Sequence, residues 1–181
     1  MHNIDFEFIG ELEGFELEGY VPDPKGSNSG VTIASGFDLG QRSKHELLSM
    51  LPVDLANKLI PYIGKTKFLA VSYLKSHPLK ITKSEAATIN QAAHKQSVDR
   101  LLRQWGKSCA YCDFVELSTE KATVIASVAF QYGDLSRRTP NFWRQVTSGD
   151  WGAALNNLRH FGDKYPTRRN KEADLLAKDL Q

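Results

Sequence analysis

No continuous apolar run in the chain reaches membrane-spanning length, and Met1-His2-Asn3-Ile4-Asp5-Phe6-Glu7 lacks the basic segment and apolar stretch of a secretory signal. Neither a spanning helix nor a cleavable leader is expected. Work outside the cytoplasm would then depend on another carrier: a longer secreted protein of which this is a C-terminal module, or a phage-like exit route. Cysteine is scarce, with Cys109 and Cys112 forming a single Cys-Ala-Tyr-Cys. One such pair cannot supply four zinc ligands, and no βαβ pattern flanks it, so a local disulfide or two free thiols are expected ahead of a redox pair. His2, His45, His77, His94 and His160 form no H-E-x-x-H and no paired spacing. No metal and no cofactor are expected. A formal charge of +2 is too small to argue for nucleic acid, although a weakly basic surface tolerates an anionic polymer. Internal repeats and low-complexity linkers are also missing.

What is present describes an ordinary globular chain. With 181 residues, 41% hydrophobic and 24% charged, it is long enough to bury a core as one domain or as two lobes. A first helix is expected from Asn3 or Ile4 to Leu12, with Gly14 as a left-handed stop and Glu13 at its C-terminal edge. Pro22, Pro24, Gly26, Ser27, Asn28, Ser29 and Gly30 mark a turn or long hairpin loop, and β-branched Val31-Thr32-Ile33 reads as a strand. Ser43 caps a helix over Lys44 to Met50, Pro52 restarts an interrupted helical stripe to about Ser76, and Thr82-Lys83-Ser84-Glu85 is a capping box. The helix that box opens turns Ala86, Ile89, Ala93, Val98, Leu101, Leu102 and Trp105 inward. Further helices are expected over Thr119 to Tyr132, ended by Gly133, then Thr139-Pro140 to Val146, Asp150 to Leu158, and Arg168 to Leu180. The sum is α+β with helices dominant and one small β-hairpin near the N-terminus.

Several strings occur in an order that carries more than each does alone. They are Glu13-Gly14-Phe15-Glu16-Leu17 with Tyr20; Thr32-Ile33 leading into Gly36; Ile81-Thr82-Lys83-Ser84-Glu85-Ala86; Phe130-Gln131-Tyr132-Gly133; and Ser148-Gly149-Asp150-Trp151, followed by Pro166-Thr167-Arg168-Arg169 and Glu172. In these the chain resembles the phage-type lysozymes and their bacteriocin relative pesticin. The resemblance implies one muramidase domain over 1–181, in which a small lobe (about 14–60) and a helical lobe (about 75–181 with the N-terminal helix) flank a cleft. It also implies hydrolysis of peptidoglycan between N-acetylmuramic acid and N-acetylglucosamine. Carried over by position, Glu13 is the proton donor, Thr32 assists from the hairpin, and Tyr20, Gln131 and Arg168 meet the substrate.

The second carboxylate has two candidates. Asp23 follows Tyr20 as in phage enzymes, though one residue late and between two prolines; Asp38 stands six residues after Thr32, as in the pesticin-like pattern. Read as one strand, Thr32, Ala34, Gly36 and Asp38 share a face, which places Asp38 first and Asp23 as the alternative. Pro-Asp-Pro is also what a turn wants without any catalysis. Glu13 suits proton donation because it stands at the negative end of a helix beside apolar Leu12 and Phe15. Glu11, Glu16 and Glu18 read as solvated surface. Gln131 is equally a helix-end amide bonded to backbone, and Trp105, Trp143 and Trp151 read as core before sugar-stacking platforms.

The expected setting is antibacterial: a domain of a secreted effector such as a VgrG-type spike, a bacteriocin, or a phage endolysin, acting in the target-cell periplasm. A cognate immunity protein plugging the cleft is the expected partner of a toxin. A monomer is expected, with no nucleic acid and no membrane insertion. The competing class is a wall-binding module that kept the fold and lost the chemistry. The choice between retention and inversion depends on a carboxyl separation that sequence does not measure.

Overall fold

The computed structural model describes residues 3–181. Ten helices and one three-stranded antiparallel sheet follow one another within them as α1 (Phe6–Leu12), β1 (Glu16–Tyr20), β2 (Thr32–Ala34), β3 (Phe37–Asp38), α2 (Lys44–Met50), α3 (Val53–Leu59), α4 (Lys67–Ser76), α5 (Lys83–Lys107), α6 (Thr119–Tyr132), α7 (Leu135–Arg138), α8 (Pro140–Ser148), α9 (Trp151–Arg159) and α10 (Pro166–Asp179). The α+β class with helices dominant is the one expected. The chain divides into two compact units, one over Glu13–His94 and one combining the residues up to Leu12 with Lys95–Gln181. The sheet-bearing unit thus extends to His94, where the sequence drew a small lobe to about residue 60.

In the Glu13–His94 unit the sheet packs on short helices around a core of Val31, Ile33, Phe37, Leu39, Leu47, Leu59, Ala86 and Ile89. Local chemistry explains the helix starts. Ser43 and Glu46 form a capping box at α2, and the Thr82 hydroxyl accepts from the Glu85 amide before α5. The β1 edge is covered: Gly19 N donates to Leu79 O, and Ile81 N donates to Leu17 O. These bonds cover the middle of that side of the strand.

The other unit is helical, with Ile9, Leu101, Trp105, Val124, Ile125, Val128, Phe142, Leu158 and Leu176 in its core. Apolar α6 has eight buried residues and ends at Gly133, whose φ of 71° suits glycine. Trp105 packs edge-on against Phe114 and Trp143, and Trp151 is buried, which is the core role expected. Cys109 and Cys112 are free thiols.

Three expectations need correction. Helix α1 begins at Phe6, because the Asp5 carboxylate caps it by accepting from Phe8 N, and an N-cap residue stands outside the helix it starts. Gly14 is not among the glycines of positive φ, since the chain passes within a few residues into extended β1 instead of reversing. The four-residue helix α7, which the sequence reading passed over, starts where Asp134 accepts from Ser136 N.

Candidate active site

Glu13 follows directly on α1, as expected, and its environment is specific. Its side chain is 11% exposed, and Oε2 lies 3.1 Å from Nε2 of His94 on α5, itself 15% exposed. Phe15, expected to shield Glu13, is itself 47% exposed.

The sheet brings three expected residues into line. Tyr20 stands opposite Thr32 across β1 and β2, and Thr32 stands opposite Asp38 across β2 and β3. Directly opposed residues of antiparallel strands project to the same face, so Tyr20, Thr32 and Asp38 form one transverse row. The shared face of Thr32 and Asp38 was expected from alternation along a single strand. It arises across a hairpin instead, because Ala34 and Gly36 take φ of 54° and 85° and turn the chain between them. That tight turn is held from α5, where Asn90 Oδ1 accepts from Ser35 N at 3.1 Å.

Asp38 is anchored by main chain. Its Oδ1 accepts from Gly30 N and Gly40 N, each at 2.9 Å. The two glycines are needed for this approach: a Cβ on Gly30 would fall 2.5 Å from Gly40 Cα, and one on Gly40 would fall 2.7 Å from Gly30 Cα. Thr32 is 2% exposed and its hydroxyl donates to Gly30 O at 3.1 Å, which ties it to the same junction. Burial, and after it the charges of Glu16 and Asp38, push the Tyr20 phenol above its ordinary value. Tyr20 is therefore a neutral hydroxyl beside a carboxylate at physiological pH.

Asp23 has the turn role its neighbours suggested. Its Oδ1 accepts from Gly26 N, its carbonyl accepts from Ser27, and its own φ is 40°. A surface groove of about 460 Å³ beside β1 and α4, lined in part by Gly19, Val71, Leu74 and Leu79, contains none of the candidate residues.

Gln131 and Arg168 belong to the helical unit, where they join a buried ionic cluster. Arg168 donates from Nη2 to Ser127 O (2.9 Å) and from Nε to Glu172 Oε1 (3.3 Å). Arg169 donates to Gln131 Oε1, pairs through Nε with Asp163 at 3.4 Å, and lies within 6 Å of the Tyr132 and Phe161 rings. Its Nη1 is 2.8 Å from Glu172 Oε2, off the line of a hydrogen bond. Burial pushes Glu172 upward against the opposing pull of Arg169, Ser127 and Arg168, and burial pushes Arg169 downward. The Gln131 amide oxygen thus meets a side chain of the cluster.

His94, Asn90, Asp163 and Ser127 were not singled out by sequence. A signal existed for two of them: Asn90 and His94 each follow an apolar position of α5, Ile89 and Ala93, so they flank its inward stripe.

A family model described as pesticin, a bacterial toxin homologue of phage lysozyme, C-terminal, matches residues 3–152. The chain belongs to the pesticin family. The match includes Glu13, Thr32, Asp38 and Gln131 and stops before Arg168. No curated protein matches the chain. As a member of the pesticin family it is a lysozyme-like bacterial toxin domain of α+β fold. Among the described residues no helix is long and apolar enough to cross a membrane, and no group of three or more His, Cys, Asp or Glu is placed to hold a metal ion.

Proposed function

We propose that this chain is a muramidase, cleaving the glycosidic bond from N-acetylmuramic acid to N-acetylglucosamine in peptidoglycan. The observation that carries the reading is the presence, in one compact unit, of two carboxylates held in different ways: Glu13 against an imidazole, and Asp38 against two backbone amides. Glycoside cleavage asks for two such carboxylates with separate roles, an acid and an acceptor.

In this mechanism Glu13 gives its proton to the leaving glycosidic oxygen, which takes the electron pair of the breaking C–O bond. A water adds to the anomeric carbon and yields its proton to Asp38, so the configuration inverts. Thr32 fixes the hairpin junction beneath Asp38, since its hydroxyl proton is committed to Gly30 O. Tyr20, at the end of the same row, offers its neutral hydroxyl to the sugar. Asp23 stays a turn residue. The setting that fits the toxin family is delivery to the periplasm of a target bacterium, with a cognate immunity protein covering the site in the producer.

The test compares wild type with Glu13→Gln on purified peptidoglycan, with mass spectrometry of the products. Wild type is expected to release muropeptides ending in reducing N-acetylmuramic acid, and Glu13→Gln to lose ~10²–10⁴-fold in rate while still sedimenting with walls. A wild type that binds walls without cutting them supports the binding-module alternative. Anhydro ends or freed peptides point to a lytic transglycosylase or an amidase.

A further inference from the structure

We propose that His94 is the positioning residue for the Glu13 proton, and that α5 serves through His94 and Asn90 as the common support of the acid and of the Asp38 hairpin. This rests on the muramidase reading.

The first ground is the closeness and burial of the pair. A carboxyl group and an imidazole 3.1 Å apart, each withdrawn from most of its water, supply one another with a hydrogen bond that hydration no longer provides. The second ground is the helix that carries His94. Ala86 and Ile89 of α5 are fully buried, so the rotation of this part of the helix is set by packing. Asn90 and His94 are four residues apart, one above the other on a single face and about 6 Å apart along the axis. Asn90 holds Ser35 in the turn joining β2 to β3, and His94 holds Glu13. One rigid face therefore grips the acid and the turn of the hairpin that carries Asp38.

The chemistry follows from which atom is engaged. With its hydrogen on Nε2, the imidazole donates to Oε2, and the transferable proton is carried on Oε1. As that O–H bond breaks and the proton passes to the leaving oxygen, negative charge grows on the carboxylate, and the N–H bond to Oε2 strengthens from a neutral to a charge-assisted hydrogen bond. An interaction that gains strength in the transition state acts on kcat more than on KM. A histidine serving only packing would not divide its effect in this way.

The experiment measures kcat and KM for release of reducing ends by wild type, Glu13→Gln, His94→Leu, His94→Gln and His94→Asn, each checked for folding by circular dichroism. His94→Leu is expected to lower kcat ~10- to 100-fold with KM within about twofold. His94→Gln, whose amide N–H reaches nearly as far, is expected to recover most of that loss, and the shorter His94→Asn to recover little. If wild type cuts and Glu13→Gln does not, an unchanged kcat in His94→Leu overturns the proposal. So does a loss of the same size in all three His94 variants. If His94→Leu does not fold, the Gln and Asn variants decide, and equal kcat values overturn the proposal. If wild type itself releases no reducing ends, the muramidase reading fails, and this inference falls with it.

Discussion

Asp38 in one unit and the arginine cluster in the other are held by different means. In the Glu13–His94 unit, Asp38 is gripped by the main chain of Gly30 and Gly40, partners that no substitution at position 38 removes. In the helical unit, Arg168, Arg169 and Glu172 are gripped mainly by one another and by the side chains of Ser127, Gln131 and Asp163, so each depends on the identity of the rest. Backbone support lets a side chain be exchanged for another acceptor at small structural cost. Mutual side-chain support makes each member necessary to the fold.

The sharpest way to break this contrast is to remove Glu172. The residue is fully buried, and its loss leaves two buried guanidiniums without their shared carboxylate. Removing one side of a buried ionic pair costs about 3–5 kcal/mol, and Glu172→Ala is expected to lose that much in urea unfolding. A loss below about 1 kcal/mol would mean that the cluster is solvated and the contrast false.

Asp38 tests the other side. Asp38→Asn keeps an oxygen able to accept from both glycine amides, so unfolding should change little, while kcat falls about 10²-fold because the amide takes no proton from water. Asp38→Ala is expected to lose kcat as well, and also about 1–3 kcal/mol of stability for each amide left without an acceptor. If the Asn variant loses stability and keeps activity, Asp38 is only a turn residue, and Asp23 becomes the carboxylate to examine.

This contrast also explains what the sequence could disclose. Ser43, the Thr82 cap, Gly133 and the Asp23 turn are readable because cap and partner lie within a few residues of each other. The expectation that Thr32 and Asp38 share a face was reached by the wrong path: alternation along a strand does not foresee that Ala34 would adopt a left-handed conformation and fold the segment back on itself. Glu13 was legible as a motif residue, yet its partner His94 lies 81 positions away. The cluster around Arg169 joins residues 38 to 45 positions apart on α6 and α10 in the same manner. Periodicity finds the faces of helices, not which polar side chain on one face meets which on another.

Each unit also has a tyrosine beside a carboxylate, and these give the finest test. Tyr132 donates to Asp163 at 2.7 Å, and its phenol is pushed up to about 12, chiefly by burial and then by that bond and the Asp163 charge, with Arg169 opposing. Tyr20 shifts the same way, by burial and then the charges of Glu16 and Asp38. A phenol whose folded value lies above its unfolded value of about 10 stabilises the fold fully below pH 10, and that contribution is lost as pH rises toward 12. Tyr132→Phe is therefore expected to be less stable than wild type by about 1 kcal/mol at neutral pH. The gap should narrow between pH 10 and 12, as wild type loses what the variant never had. Tyr62 and Tyr111 are raised as well, so both proteins weaken there and only their difference reports Tyr132. Tyr20→Phe should show a smaller gap, because Tyr20 is 38% exposed and the water around it screens the neighbouring charges. A Tyr132 gap that stays constant from pH 8 to 12 would show that the Asp163 bond does not set the phenol, and that the side-chain cluster ends at Arg169 instead of extending through Asp163 to the ring.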